Sequence, residues 1–345
     1  MALNTDIQDL IQIEDAPAIP GLRFRHFRGD EDFPRMVGVI AGSSKADNIE
    51  RVETADQVRA NYEHLTNCDP YKDMVFIEVE GQPNDGVIGY SRVMWWQEEA
   101  TKHRIYLSFG FLLPEWRRKG IGTAVLKHNQ RRLVEIASEH PHDGERFFHT
   151  FASDSEVEAN RAALKDGYVA VSHGAEMVRP DLENIPDTTL PDGIEVRPVR
   201  EEDMQAIFEA DIEAFRDHWG FSESHVQSLD AWKIEPGYDP SLWRVAWQGD
   251  QVVGMVRSFI NPLENEMYNR KRGYTEHISV RRPWRRMGVA RTLINLSLHA
   301  LKERGMEEAA LGVHVENPNG AFALYESCGF RVTRMNNEYR KPMPE

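Results

Sequence analysis

Cysteine is scarce in this sequence, and its scarcity excludes several classes of protein. The 345 residues include only Cys68 and Cys328, which lie far apart. They supply neither the framework of a disulfide-rich secreted domain nor a closely spaced zinc or redox pair. The segment Met1–Pro20 lacks the basic start and apolar run of a signal peptide, and no apolar stretch approaches the roughly 20 residues of a membrane helix. We therefore expect a cytoplasmic protein without a membrane partner.

Basic charge is also in deficit. The chain has 41 Lys and Arg residues against 56 Asp and Glu residues, which gives a formal net charge of −15. This balance argues against a protein whose main role is to bind nucleic acid through a basic face. The 13 histidines show no HExxH or similar spacing, so no metal site is predicted. Hydrophobic residues make up 41% of the chain, enough to fill the cores of two domains of roughly 150 residues each.

An internal repeat is the clearest sign of how the chain is organised. Pro114–Gly122 and Arg282–Ala290 share a Trp-Arg-Arg-x-Gly core at a spacing of 168 residues. A period of this length indicates a duplicated domain and not a solenoid. Between the copies, residues 179–193 are rich in proline, aspartate and glycine, a composition typical of a linker. We expect one domain at residues 1–186 and a second at residues 187–345.

Both halves show the same order of predicted elements. In the first half, strands are predicted at 22–27, 74–79, 87–95, 105–112 and 147–151, with helices at 30–40, 120–138 and just before Gly167. In the second half, strands are predicted at 194–199, 242–247, 251–260, 274–280 and 310–315, helices at 201–215, 288–304 and 321–327, and a final extended segment from 330. Strands with segregated helices predict the α+β class, with a mixed, mostly antiparallel sheet flanked by helices.

Each copy of the repeat joins a strand to a long helix that begins at a glycine. The first N–H groups of a helix are unpaired and carry a partial positive charge, so they can bind a diphosphate. The small residues at this junction are Gly120, Gly122, Gly288 and Ala290, and the neighbouring arginines are Arg117, Arg118, Arg285 and Arg286. A single copy would favour a solvated corner. Two copies in the same strand–turn–helix context favour a diphosphate site.

These loops resemble the acyl-CoA pyrophosphate signature of the GNAT N-acetyltransferase superfamily. The resemblance rests on Arg117-x-x-Gly120-x-Gly122, on Arg285-x-x-Gly288-x-Ala290, and on the later segments Val315–Ala321 and Leu324–Phe330 of the second half. Two such domains in tandem are most similar to the mycothiol synthase group. The resemblance implies an acetyl-CoA-dependent N-acetyltransferase that acts on a primary amine of a small molecule. It implies coenzyme A contacts at Ile278, Ser279, Val280, Arg285, Arg286, Met287, Gly288, Val289, Ala290 and Asn317, and in the first half at Leu112, Arg117, Arg118, Gly120 and Gly122.

The resemblance also implies the proton-transfer groups. Tyr325 would protonate the departing thiolate as the general acid, and Asn317 would hold the pantetheine arm or position the following helix. Glu276 would accept the proton of the amine, and the backbone of 278–280 would polarise the thioester carbonyl. Alternatives stay open, since Tyr325 could be a packed aromatic, Glu276 a solvated carboxylate at the sheet edge, and Asn317 part of a turn. By strand alternation, His277 is expected on the opposite face from Glu276.

The first half lacks both proton-transfer groups. Ser108 lies twelve residues before Gly120, where the second half has Glu276, and Ala163 occupies the position of Tyr325. We therefore expect a degenerate first domain that keeps a coenzyme A loop, and a catalytic second domain.

The acceptor site is predicted less directly. Asp217, His218 and Trp219 are the candidate contacts, although Asp217 could cap a turn and Trp219 could pack in the core. The polar stretch Asn261–Arg272 is expected to form a mobile rim. Two other functions compete: a non-catalytic acyl-CoA sensor or pseudoenzyme, and an N-acetyltransferase of proteins or peptides. The sequence does not predict an oligomeric state.

Overall fold

The chain divides into two units. The structure, a computed structural model, describes residues 9–223, 228–233, 235, 237–317 and 319–344. The first unit comprises the residues up to 171 together with those from 337 onward, and the second comprises residues 172–336. Pro318, in one of the family-like segments, lies outside the described residues. Among the described helices, none is both long and apolar enough to cross a membrane.

The unit boundaries differ from the single boundary predicted near residue 186. Met177 and Leu182 are buried in the core of the second unit, because the segment from Gly174 to Arg179 pairs with a strand of that unit. Tyr339 is buried in a core cluster of the first unit, beside Tyr106 and Phe148. The predicted domains therefore need correction at both ends.

The first unit is a mixed sheet with helices on both faces. Its strands are β1 (Leu22–Arg25), β2 (Met74–Val79), β3 (Val87–Gln97), β4 (Arg104–Leu112) and β5 (Arg146–Ser153). Its helices are α1 (Asp32–Ala46), α2 (Ala55–Glu63), α3 (Pro70–Asp73), α4 (Ile121–Ser138) and α5 (Val157–Lys165). Strands β1 to β4 pair antiparallel in sequence order, and β5 joins β4 in parallel. Phe76 and Ile77 of β2 point to opposite faces, where they pack with α1 and α4 respectively.

The second unit repeats this plan. Its strands are β6 (Val169–Arg179), β7 (Glu195–Arg197), β8 (Arg244–Gln248), β9 (Gln251–Ile260), β10 (Arg272–Val280), β11 (Glu308–His314) and β12 (Arg331–Pro342). Its helices are α6 (Met204–Phe215), α7 (Leu229–Lys233), α8 (Pro262–Met267), α9 (Val289–Glu303) and α10 (Ala321–Ser327). The strand order is β12-β6-β11-β10-β9-β8-β7. The ends of β6 before residue 172 and of β12 after residue 336 belong to the first unit.

Two helices cover opposite faces of the second sheet. Met255 of β9 packs with the α6 residue Ile207, whereas Val253 packs with the α9 residue Leu293. Each of these four side chains is fully buried. Burial of about 1.5–3 kcal/mol per large apolar side chain holds such layers together. The α+β class and the mixed sheet predicted from the sequence are confirmed.

The stretch expected to be a mobile rim contains a short helix. Asn261 accepts a hydrogen bond from the Glu264 N–H at 3.3 Å, and proline occupies the first position of α8. Asn265 then exchanges two hydrogen bonds of 2.9 Å with the Arg272 backbone, and Tyr274 donates to Glu264. A cap and these ties to β10 explain why the polar sequence is ordered as a helix.

Candidate active site

The site of the second unit lies where two parallel strands separate. β10 and β11 pair only from Arg272 to Tyr274 and from Glu308 to Ala310. Among the described residues, the β11-facing edge of β10 has no strand partner beyond Tyr274, so its backbone groups there lack the hydrogen bonds of a ladder. Glu276 lies at this edge, and its Oε1 accepts a hydrogen bond of 2.9 Å from the Gly312 N–H across the gap.

Glu276 has the electrostatics of a base that works near neutral pH. Burial of its carboxylate raises its pKa to about 7. The hydrogen bond from Gly312 and the nearby His277 lower the pKa, and Glu176 raises it, but desolvation is the larger effect. A carboxylate with a pKa near 7 can take up a proton from an ammonium group without being protonated permanently.

A β-bulge interrupts β10 beside Glu276. Glu276 pairs with Arg257 and Ser279 with Met255, so two residues of β10 face the single residue between those partners. His277 has a φ of +47°, a left-handed conformation that is uncommon for residues other than glycine. Its Nδ1 lies 3.3 Å from Asp211 Oδ2.

The bulge overturns the alternation argument for His277. Ser279 Oγ donates to the other oxygen of Asp211 at 2.9 Å, and both residues therefore face α6. Arg257, the cross-strand partner of Glu276, faces the same side, since it interacts with the charge of Asp211. The prediction that His277 and Glu276 lie on opposite faces is wrong, because the extra residue of the bulge breaks the period of two.

Tyr325 is buried on α10 with 6% of its surface exposed. Burial raises its pKa well above the usual range, and the charge of Glu276 raises it further. The two residues are thus close enough to interact electrostatically. The Tyr325 hydroxyl makes no hydrogen bond to any residue that the structure describes, and it keeps its proton at neutral pH.

The loop before α9 presents a row of unpaired backbone donors. Arg286 and Gly288 have positive φ values of +64° and +85°, and the first helical hydrogen bond joins the Thr292 N–H to the Gly288 oxygen at 3.1 Å. Within the described part of the chain, the N–H groups from Arg286 to Arg291 have no acceptor. A Cβ on Gly288 would meet no atom within 4 Å, so the front of the helix has room for a phosphate.

The loop before α4 has the same geometry. Arg118 and Gly120 have φ values of +60° and +89°, and the Ala124 N–H donates to the Gly120 oxygen at 3.1 Å. A Cβ on Gly122 would also find open space, whereas one on Gly120 would lie 3.7 Å from Pro17. The duplicated sequence therefore folds into the same loop conformation in both units.

The first arginine of each loop braces the loop from behind. Arg285 donates from Nε to the Val280 oxygen at 2.9 Å and from Nη1 to Asp217 Oδ2 at 2.7 Å. Arg117 likewise donates from Nε to the Leu112 oxygen at 2.9 Å and from Nη1 to Asp47 Oδ1 at 2.6 Å. Both guanidinium groups, which were expected to add charge for a diphosphate, are hydrogen-bonded to the protein in this way.

Asp217 is committed in the same way. Hydrogen bonds and charge from Arg282 and Arg285 hold the pKa of Asp217 well below its usual range. Two arginines hold this carboxylate, so an acceptor amine would have to compete with them for Asp217. It belongs to the brace of the loop.

His218 and Trp219 lie in an aromatic group with His314. The ring centroids of His218 and Trp219 are 5.4 Å and 5.5 Å from that of His314. Burial, with His314 nearby, lowers the pKa of His218 to about 4, so the group is uncharged at neutral pH. His314 was missed from the sequence, although it lies two residues after Gly312 on a predicted strand and thus on the same face.

The other predicted residues are found at the loop or around the gap. Asn317 Oδ1 accepts from the Asn319 N–H at 2.8 Å, and its Nδ2 lies 3.5 Å from His218 Nε2. Asn317 therefore shapes the turn before α10 next to the aromatic group. The remaining predicted residues differ in exposure. The side chains of Arg118, Arg286 and Met287 are exposed, and that of Val289 is buried. Half-buried side chains are those of Leu112, Ile278, Val280 and Ala290.

The first unit lacks this chemistry at the matching positions. The β3–β4 ladder runs regularly from the pair Gly89–Leu112 to the pair Gln97–Arg104, without a bulge. Ser108 accepts a hydrogen bond from Asn129 at 2.9 Å, and Ala163 is buried. The loop before α4 is thus kept without a carboxylate or a phenol at these positions.

Comparisons with known proteins show the family. Residues 44–155 and 204–330 match the profile of the Acetyltransferase (GNAT) family. The mycothiol acetyltransferase of Geodermatophilus obscurus is 27% identical over 233 residues, which cover 66% of this chain and 71% of that protein.

Two solved structures share the fold. A GCN5-related N-acetyltransferase from Sphaerobacter thermophilus has a TM-score of 0.68 at 23% identity, with 94% of this chain and 96% of that chain covered. A tandem GNAT protein from the clavulanic acid biosynthesis pathway has a TM-score of 0.66 at 13% identity, covering 94% and 99%. With more than half of its residues matched to the family profile, in both halves, the chain belongs to the GNAT acetyltransferase family and is an N-acetyltransferase.

Proposed function

We propose that the second unit transfers the acetyl group of acetyl-CoA to a primary amine of a small molecule. The observation that carries this proposal is the pairing of Glu276 and Tyr325 at the gap between β10 and β11. Their pKa values are raised in a way that suits a base and an acid, to about 7 for Glu276 and above the usual range for Tyr325. The matching positions of the first unit have neither group.

Coenzyme A binding is assigned to the loop before α9. The N–H groups from Arg286 to Arg291 would donate to the diphosphate, and the exposed guanidinium of Arg286 would add charge. The pantetheine arm would then run toward the gap and lie along the unpaired edge of β10 at 278–280, in the place of a neighbouring strand. A donor from this edge would stabilise the oxyanion as the carbonyl is attacked.

The reaction then needs two proton transfers. Glu276 accepts a proton from the ammonium group of the acceptor, and the free amine attacks the thioester carbon, so that a C–N bond forms. The C–S bond breaks as the tetrahedral adduct collapses. Tyr325 gives its proton to the departing thiolate of coenzyme A and is reprotonated from solvent.

The acceptor would enter on the side of His218, Trp219 and His314. These rings offer an aromatic wall next to the carboxylate of Glu276, an environment that suits an amine attached to a polar scaffold. The first unit is assigned a coenzyme A-binding role without catalysis, because it keeps the loop alone. Under the competing functions, a sensor would bind without turnover, and a peptide acetyltransferase would prefer peptide amines.

The test is a screen of acceptors with purified protein. Acetyl-CoA is supplied with a panel of small primary amines and of peptides with free N-termini, and thiol release is followed. Acetylation of a small amine that is lost in Glu276→Gln and Tyr325→Phe supports the proposal. Coenzyme A binding by calorimetry without turnover on any amine would favour the sensor, and faster turnover of peptides would favour the other alternative.

A further inference from the structure

Asp211 is a buried carboxylate with no place in the proposed chemistry. It lies on α6 with 4% of its surface exposed, four residues after Ile207 and four before Phe215, and so on the apolar stripe of the helix. A charge at such a position costs free energy unless it is paired or hydrogen-bonded. Its location therefore calls for a function.

The two oxygens of Asp211 hold the two sides of the bulge. Oδ1 accepts from Ser279 Oγ at 2.9 Å, after the bulge, and Oδ2 lies 3.3 Å from His277 Nδ1, within it. A carboxylate only accepts hydrogen bonds, so Nδ1 of His277 must carry the proton. His277 has a φ of +47°, and a strained conformation of this kind persists only where its surroundings fix it.

The first unit provides an internal comparison. The braces Arg117–Asp47 and Arg285–Asp217 align the two units, and this alignment puts Ala41 at the position of Asp211. Phe111 stands at the position of Ser279, and Phe109 pairs with Arg92 as Glu276 pairs with Arg257. That ladder has no bulge, so the first unit has no residue at the position of His277. The carboxylate, its two partners and the bulge thus occur together or not at all.

We propose that Asp211 is a positioning residue that clamps the β10 bulge, and that this clamp keeps Glu276 and the open strand edge aligned with the gap. The inference rests on the proposed function, because alignment matters only if the gap holds the thioester. Without the clamp, β10 can relax toward a regular ladder. The register of the residues after Glu276 then shifts by one, and their side chains move to the opposite face of the sheet. Misplacement of reacting groups by about 1 Å can lower a rate by about 100-fold.

A second role for Asp211 has to be separated from the clamp. Arg257 has 4% of its surface exposed and interacts electrostatically with Asp211. Its hydrogen bond, however, is donated to the carboxylate of Glu235. Asp211 could therefore act by balancing a buried arginine. Variants of Ser279 and His277 remove the hydrogen bonds of the clamp and leave the charge of Asp211 in place.

The experiment compares the wild type with Asp211→Asn, Ser279→Ala, His277→Asn and the double variant of Ser279 and His277. Asparagine tolerates a left-handed φ, so His277→Asn removes the ring and not the backbone conformation. Asp73→Asn is the matched control, since Asp73 is a buried carboxylate of the first unit that is held by Arg132 at 3.0 Å. The measurements are kcat, KM for acetyl-CoA, calorimetric binding of coenzyme A, and amide hydrogen exchange.

We expect Asp211→Asn and the double variant to lower kcat by about 10- to 100-fold. Binding of coenzyme A should stay within about 3-fold, and exchange should accelerate in residues 275–280, whereas Asp73→Asn keeps full kcat. Retained kcat in Asp211→Asn would overturn the clamp. So would loss in Asp211→Asn with full kcat in the double variant, which would assign Asp211 to the charge of Arg257. If Asp211→Asn fails to fold, the double variant decides alone. An inactive wild type would instead contradict the proposed function, and exchange would still report on the clamp.

Discussion

Arg285 and Asp217 form an ion pair of 2.7 Å behind the loop of the second unit, and Arg117 and Asp47 form the same pair at 2.6 Å in the first. In both units the arginine also holds the carbonyl oxygen five residues before it. The signature arginine is thus part of the support of the loop. The donors that face outward are backbone N–H groups.

Loss of this support should weaken coenzyme A binding without removing any ligand contact. Asp217→Asn leaves Arg285 with a neutral partner, and a hydrogen bond to a charged group contributes about 1.5–3 kcal/mol. We expect KM for acetyl-CoA to rise by about 5- to 30-fold with little change in kcat, in steady-state assays. Because its neighbours lower the pKa of Asp217, the stabilising effect is present at neutral pH and is lost on acidification below the usual aspartate range. Asp47→Asn is the matched control, and an equal rise in KM from Asp47→Asn would contradict the assignment of catalysis to the second unit.

Tyr325→Phe should affect chemistry and leave the fold intact. The hydroxyl has no hydrogen-bond partner among the described residues, so the phenyl ring keeps the packing against Phe330, at a centroid distance of 6.5 Å. Removal of a general acid costs about 100- to 10,000-fold in rate. The measurement is kcat together with the melting temperature. A variant that melts several degrees lower and retains kcat would show that Tyr325 is only a packed aromatic.

The pH profile should report the ionisation of Glu276. Because burial raises its pKa to about 7, the carboxylate is protonated and inactive as a base at lower pH. We expect kcat/KM to rise with pH, to reach half its maximum near pH 7, and to lose this limb in Glu276→Gln. Folding disfavours the ionised form, so the stability of the wild type relative to Glu276→Gln should fall as pH rises from about 4 to 7. A profile that is flat from pH 5 to 8 would be inconsistent with this role.

Variants of Arg286 and Arg118 should distinguish the roles of the two loops. Arg286 is exposed and makes no ion pair within 4 Å to a described residue, whereas Arg118 lies 3.9 Å from Glu158. Arg286→Ala should raise KM for acetyl-CoA by about 5- to 10-fold and make binding less dependent on salt, since one contact between a cation and a phosphate is lost. Arg118→Ala should leave turnover unchanged and weaken only the binding of a second equivalent of coenzyme A in calorimetry. The reverse pattern would place catalysis in the first unit.

The parts of the site that depend on local conformation could be predicted from the sequence. Gly120 and Gly288 start their helices with a positive φ, and glycine is the residue that favours this conformation. Glu276 and Tyr325 lie on predicted elements at the expected spacing. Each of these features depends mainly on a few consecutive residues.

The parts that depend on pairing between distant segments could not be predicted. The bulge at His277 arises from the register of β10 against β9, which strand alternation within one segment does not reveal. Asp217 was assigned to the acceptor because its partners Arg282 and Arg285 are more than sixty residues away. One signal was present and overlooked: Asp211 interrupts the apolar stripe of α6, and a charge at a buried position requires partners.

The path of β12 bears on how the protein is made. Residues from 337 onward complete the first unit, yet they are synthesised after the whole of the second. Domains of nascent chains usually fold in order as they leave the ribosome. Here the first unit emerges early and lacks its closing strand, in which Tyr339 fills the core beside Tyr106 and Phe148, until the second unit has been synthesised. The second unit can therefore reach its native state before the first, although most of the first unit precedes it in the sequence.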